Sequence, residues 1–346
     1  MRFLIVRLGA LGDIIHAVPA AAALRAAFPD ARIDWLVDRQ HREMVDLVTA
    51  IDNVVVLERP SITGWAEAAR RLRQVRYEAA IDLQGLLKSA VLARASGAAR
   101  VIGFSIWHLR EKTARPFYSS TDDGRAGGNP PGPDPPGQIH VIRKNLRLLR
   151  ALGVHDERIA FPLARVQSHA VERVREALGR EAPGNDRPFA LINPGAAWPN
   201  KQWPADRFGA IAAFLRDVRG LPSVVLWGPG EEALAQGVVD ASSGAARVAP
   251  PTGLGDLLEL SRAAALMVSG DTGPLHIAAA AGTPGVAIFG PTDPARNGPW
   301  SAADVTISRF EPCVCHYERR CHSAAWCLDA VTVAEVAAGI EQRLQS

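Results

Sequence analysis

The chain has almost no net charge. Its 39 lysines and arginines against 36 aspartates and glutamates leave +3 over 346 residues, too little to point to nucleic acid. It also lacks any stretch near the roughly 18 uncharged apolar residues that a membrane-spanning helix needs. Arg7, Asp13, His16 and Arg25 interrupt the apolar N-terminus, which argues against a cleaved signal and for a first strand and helix. A cytoplasmic protein is the expectation. The first turn reads Gly9-Ala10-Leu11-Gly12-Asp13, not Gly-x-Gly-x-x-Gly, and no acidic residue clearly ends the second strand. A dinucleotide-dependent dehydrogenase is therefore disfavoured. No Asp-x-Asp pair stands where it would hold a metal diphosphate. Cysteines number only four, and all lie between 313 and 327.

What is present is a globular composition, 48% apolar and 22% charged, at a length comfortable for two domains. Short apolar runs alternate with helical patterns. Strands are expected at Phe3 to Val6, Ile33 to Val37, Val54 to Leu57, Ala79 to Leu83 and Val101 to Phe104, with helices over Ile14 to Phe28 and Trp65 to Val75. The alternation resumes with strands at Phe189 to Asn193, Ser223 to Trp227, Ala263 to Val268 and Gly285 to Phe289. Such alternation implies parallel sheets covered by helices on both faces. The Gly/Pro/Asp-rich run 120–138 reads as a mobile surface loop. A boundary near 184 divides an N-terminal domain, 1–184, from a second, 185–330, followed by a C-terminal helix, 331–346. The expected architecture is α/β: two doubly wound, Rossmann-like domains facing a central cleft, with ligands at the carboxyl ends of the strands.

The polar, Gly-rich loops fall at those carboxyl ends. Ser269-Gly270-Asp271-Thr272-Gly273-Pro274-Leu275-His276 leads a strand into a helix whose first N–H groups converge on one spot, a natural place for an anion. Pro274 suits the first turn, where a missing N–H costs nothing. Asn193-Pro194-Gly195-Ala196 ends another strand, with Lys201-Gln202-Trp203-Pro204 close behind. Lys201 there can neutralise a phosphate; alternatively it is a solvated loop lysine. Asp13 at the start of a helix is either a first-turn carboxylate stabilising that helix or a general base.

These segments, with Arg7-Leu8-Gly9-Ala10-Leu11-Gly12-Asp13-Ile14-Ile15-His16 and Asp82-Leu83-Gln84-Gly85-Leu86-Leu87-Lys88-Ser89, resemble glycosyltransferase family 9, the ADP-heptose:lipopolysaccharide heptosyltransferases, nearly end to end. The resemblance implies a GT-B fold and inverting transfer of heptose from ADP-heptose to the lipopolysaccharide inner core (Kdo or heptose), without a catalytic metal or other cofactor. It makes Asp13 the base. It puts Lys201, Gly195 and the amides around Thr272 and Gly273 at the diphosphate, with Asp271 and His276 near the donor. Glu231 or Glu232 would hold the nucleoside, and the resemblance does not choose between them. The partners implied are a nucleotide sugar and an anionic, lipid-linked oligosaccharide, met by a monomer at the cytoplasmic face of the inner membrane. Gly12, Arg59, Lys88, Arg110, Lys112 and Arg143 are the acceptor-side candidates. Arg110-Glu111-Lys112 with Phe117-Tyr118 resembles an acceptor-loop segment of the family, although the Gly/Pro-rich run after it departs from that pattern. The same fold with another sugar or acceptor, or a non-catalytic sugar-binding module, are the alternatives.

Cys313, Cys315, Cys321 and Cys327, interleaved with His316 and His322, allow a structural zinc site. Their Cys-x-Cys pair and two five-residue gaps are not a standard knuckle spacing. Reduced thiols packed against the C-terminal helix are the other reading.

Overall fold

The computed structural model describes residues 1–59, 61–121, 139–179 and 188–345. Most of the expected loop (122–138) and the expected boundary at 184/185 lie outside the described residues; Ser120 and Thr121 form a short strand.

Two parallel six-stranded sheets carry the fold. The first contains β1 (Arg2–Val6), β2 (Arg32–Asp38), β3 (Asn53–Leu57), β4 (Ala79–Asp82), β5 (Arg100–Gly103) and β6 (Ser120–Thr121), in the order β3-β2-β1-β4-β5-β6. The second contains β7 (Ala190–Asn193), β8 (Ser223–Val225), β9 (Ala246–Val248), β10 (Leu266–Gly270), β11 (Gly285–Phe289) and β12 (Val305–Ser308), in the order β12-β11-β10-β7-β8-β9. Numbered from its own first strand, each sheet runs 3-2-1-4-5-6. This is the doubly wound order, in which ligands bind where the winding reverses. The reversal falls between β1 and β4 in one sheet and between β7 and β10 in the other.

The central strands are uninterrupted apolar runs because helices cover both faces. Ile5 of β1 stands in register with Trp35 on one side and Ile81 on the other, all three buried. In the second sheet Val268 lies between Ile192 and Val286. Trp203, Phe208, Leu215, Ile288 and Ile340 close the core around it.

Two expectations need correction, and the compact units divide elsewhere than at 184/185. The helix expected over Ile14 to Phe28 is two helices, Leu11–Ile15 and Val18–Ala27. Pro19 has no N–H to return to Ile15, and its ring crowds that carbonyl. The second strand reaches Asp38, so an acidic residue does end it; this carboxylate is engaged by Lys88 at 3.4 Å. The chain divides into compact units at Ala164/Arg165, twenty residues ahead of the expected boundary. The helix Ala170–Ala177 belongs to the second unit because it packs on Leu254–Ala263, where Arg173 meets Asp256 at 3.6 Å.

Candidate functional site

In the N-terminal unit, two loops are tied together at the winding reversal. Leu8 donates its N–H to Gln84 Oε1 at 2.9 Å, Leu83 N–H bonds Val6 O at 3.1 Å, and the Arg7 guanidinium donates to Leu83 O. Arg7 is buried, and its other arm reaches Asp13 Oδ2 at 2.5 Å. Asp13 occupies the first turn of Leu11–Ile15, about a third exposed, held by the Arg7 cation, which was not among the site candidates. The signal was nonetheless present: an arginine ending an apolar strand is a costly burial unless it is paired.

His41, after β2, was missed altogether. Its ring lies against Gly9, where an added Cβ would come within 2.7 Å of it, so the turn needs a glycine to admit the ring. Burial pushes the His41 ring down, against the pull of the Asp38 and Asp13 carboxylates.

The Asp82-Leu83-Gln84-Gly85 segment organises the loop opposite. Asp82 is fully buried and accepts from Gln84 N (2.9 Å), Gly85 N (3.3 Å), Ser89 Oγ (2.8 Å) and Tyr118 OH (2.7 Å). Burial raises its carboxyl despite these four donors. Gly85 takes φ +70°, and Glu111 Oε2 accepts from Leu87 N at 2.7 Å, holding the 105–112 loop to the next helix.

The basic candidates separate into two groups. Lys88 is committed to Asp38, and Arg143 to the Glu157 carbonyl at 2.6 Å and its carboxylate at 3.5 Å. Arg59, after β3, and Arg110 and Lys112, after β5, are exposed at the carboxyl edge of the sheet. Gly12 lies in the same short helix as Asp13.

In the C-terminal unit the loops after β7, β10 and β11 converge on one carboxylate. Asp271 is buried and accepts from Lys201 Nζ at 2.5 Å and Thr292 Oγ1 at 2.7 Å through one oxygen, with His276 Nε2 at 3.3 Å from the other. Burial alone would raise this carboxyl. The His276 hydrogen bond and the Lys201 charge overcome it and hold Asp271 well below the usual carboxylate range. Lys201 is no solvated loop lysine: it is mostly buried, 4.5 Å from the Trp198 ring, and its backbone carbonyl would lie 2.9 Å from a Cβ on Gly270.

Beside this network begins the helix Gly273–Ala281. Its N-cap, Thr272, makes no side-chain cap bond, and Pro274 stands in the first turn. Thr272 Oγ1 instead accepts from Asn193 Nδ2 at 3.0 Å, which ties β7 to β10 across the reversal. The Thr272 side chain therefore does not cap the first-turn amides at Gly273 and Leu275.

The two glutamates differ. Glu231 is half-buried, accepts from Gly228 N at 3.0 Å, and lies so close to Gly195 that any Cβ there would overlap its carboxylate. Glu232 is exposed in the first turn of Glu232–Asp240. The structure therefore brings Lys201, Asp271, Thr272, Gly273 and His276 together, and separately Gly195 with Glu231.

The cysteine segment packs behind this site. Asn200 Nδ2 donates to Glu318 O at 2.8 Å, and Trp326 Nε1 to Asn200 O at 3.3 Å, next to Lys201. Among the described residues no group of three or more His, Cys, Asp or Glu side chains is arranged to hold a metal. All four cysteines are free, with Cys315 Sγ and Cys321 Sγ in direct contact at 3.4 Å. Burial and the neighbouring Cys313 thiol push Cys327 up to about 12.

Comparison with known proteins bears on both units. The model of glycosyltransferase family 9 (heptosyltransferase) matches residues 65–326, a span that leaves Asp13 outside. Lipopolysaccharide heptosyltransferase 1 of Pseudomonas aeruginosa is 29% identical over 332 residues, covering 93% of this chain and 87% of the relative. Its Escherichia coli K12 counterpart is 24% identical, over 86% and 90%. Among solved structures, a family 9 glycosyl transferase of Veillonella parvula superposes with a TM-score of 0.80 at 23% identity, over 100% of this chain and 97% of that one. E. coli heptosyltransferase WaaC with ADP gives 0.74 at 22%, over 99% and 100%. The shared fold is GT-B.

Proposed function

Because the chain belongs to glycosyltransferase family 9, we propose that it moves heptose from ADP-heptose to the inner core of lipopolysaccharide, with inversion and without a metal. The relatives named lipopolysaccharide heptosyltransferase 1 support this donor and acceptor class. The observation that carries the reading is Lys201, fixed by buried Asp271 beside the uncapped amides of Gly273–Ala281.

In this mechanism the sugar C1–O bond to the diphosphate breaks as the acceptor oxygen bonds C1 from the opposite face. An oxocarbenium-like sugar forms while negative charge builds on the departing ADP. Lys201 and the amides at Thr272 and Gly273 stabilise that charge most where it is greatest, in the transition state. Asp13 takes the acceptor hydroxyl proton, and Arg7 holds its carboxylate in place. Glu231, beside Gly195, binds the nucleoside, and Arg59, Arg110 and Lys112 meet the anionic acceptor. The enzyme works at the cytoplasmic face of the inner membrane.

Titration calorimetry with ADP-heptose, UDP-sugars and GDP-sugars tests the donor: selective binding of ADP-heptose is expected, and preference for another nucleotide sugar would remove it. Transfer should proceed undiminished in EDTA; a requirement for added divalent metal would refute the metal-free step. Glu231→Gln should weaken ADP-heptose binding about tenfold, the worth of one charge-assisted hydrogen bond, while Glu232→Gln leaves it unchanged. The reverse ranking would reassign the nucleoside contact.

A further inference from the structure

The N-terminal unit exposes several large apolar side chains. After β5, Phe104 and Ser105 are buried, and His108 and Leu109 both donate their N–H to Ser105 O at 3.0 Å. That tight turn pushes Ile106 and Trp107 outward, 43% and 47% exposed. Leu87, 40% exposed, donates its N–H to Glu111 of the same loop. The turn is closely packed: Phe104 and Leu109 lie against Gly85, 3.1 and 3.4 Å from where an added Cβ would stand. Exposed Arg110 and Lys112 follow directly. Arg59 follows β3 at the same carboxyl edge of the sheet, and Ile62 (87% exposed) opens the helix Ile62–Arg73.

We propose that the Ile106–Trp107 turn, with Leu87, Arg110 and Lys112, docks the N-terminal unit onto an anionic lipid surface. A tryptophan with a branched aliphatic neighbour at a loop tip suits the boundary between acyl chains and headgroups. Adjacent cations add attraction to negatively charged headgroups, which a neutral apolar partner would not reward. Clustered exposed apolar side chains rimmed by charge are uncommon on surfaces that face only water. The position also suits the reaction. Asp13 follows β1 at the same carboxyl edge, so an acceptor anchored in the lipid would have its sugars presented on the side of the sheet where the base stands. The inference deepens the proposed function and rests on its lipid-linked acceptor. The docking itself is measured without any transfer.

The test is co-sedimentation of the full chain with vesicles of phosphatidylcholine alone and of phosphatidylcholine with phosphatidylglycerol. Binding to the anionic vesicles that weakens with salt is expected. The double substitution Ile106→Asp, Trp107→Asp should reduce it at least tenfold. The same variant should keep transfer to a deacylated, water-soluble acceptor and lose transfer to acceptor embedded in vesicles. Ile106→Leu, Trp107→Phe should restore vesicle binding, which separates docking from a folding defect. Failure of the native chain to bind anionic vesicles would overturn the proposal, as would equal binding by the Asp variant. A dimer in sedimentation velocity that the Asp variant abolishes, without vesicle binding, would assign the patch to a second copy of the chain. If vesicle binding holds but no soluble acceptor is glycosylated, the docking stands and the heptosyl-transfer reading falls.

Discussion

Asp13→Asn lowers the turnover of heptosyl transfer by about 10²–10⁴-fold, the range for loss of a positioned general base, while calorimetric affinity for ADP-heptose is retained. The asparagine keeps the shape and the hydrogen-bonding reach toward Arg7 but cannot accept a proton from the acceptor hydroxyl. The split between turnover and donor binding matters because Asp13 stands in the N-terminal unit, whereas the diphosphate contacts are assigned to the other. Arg7 is buried beside it, so the variant must also be checked for stability: the neutral amide leaves the guanidinium less well compensated. A modest fall in melting temperature with intact donor binding is the expected pattern. An unchanged rate would mean that another group takes the proton, and His41, which feels the Asp38 and Asp13 carboxylates, would be the next place to look.

On the proposed mechanism Lys201→Met should remove transition-state charge stabilisation; it also takes one donor from buried Asp271, leaving the His276 and Thr292 bonds. Loss of one fixed donor at a developing anion costs roughly 10²–10³-fold in turnover, and Lys201→Arg should recover part of it by keeping the charge. The same change acts on stability. Asp271 is held below the ordinary carboxylate range when folded, so its contribution is fully present above the unfolded value near pH ~3.9. That contribution is lost as pH falls through the depressed folded value. Removing Lys201 lifts the folded value toward the unfolded one. Less stability is then gained near neutrality, by about 1.5–3 kcal/mol for a hydrogen bond to a charged group, and acid unfolding begins at higher pH. Denaturation monitored by circular dichroism from neutral to acid pH reads this directly. Identical acid midpoints in the variant and the native chain would show that the pair does not hold Asp271 ionised.

Both substitutions were named by local sequence, and that is instructive about what local sequence can carry. The strands were legible because buried parallel strands must be apolar on both faces, so Leu4-Ile5-Val6 and Leu191-Ile192 stand out against any neighbouring segment. The turn at Gly270–Pro274 was legible because a strand-to-helix turn with proline in the first helical turn follows from backbone chemistry alone. Even the break at Pro19 was written in the chain, though the Ala-rich run around it concealed the break.

Other decisions were made only when distant segments met. Glu231 and Glu232 are adjacent and chemically identical, and only the packing of one against Gly195, 36 positions earlier, distinguishes them. Arg7 acquires its place from a carbonyl 76 residues away, and Thr292 meets Asp271 across 21. The unit boundary moved because the Ala170–Ala177 helix found its apolar partner in the later sheet's helix layer, a contact with no local signature. Backbone geometry and hydrophobic periodicity act over a few residues, so sequence alone determined the doubly wound class, the turns and the residue types at the strand ends. Which of those side chains share a carboxylate, and which face water, depends on long-range burial. Only the tertiary structure could decide that, because the low polarity of the interior makes each buried charge choose a specific partner.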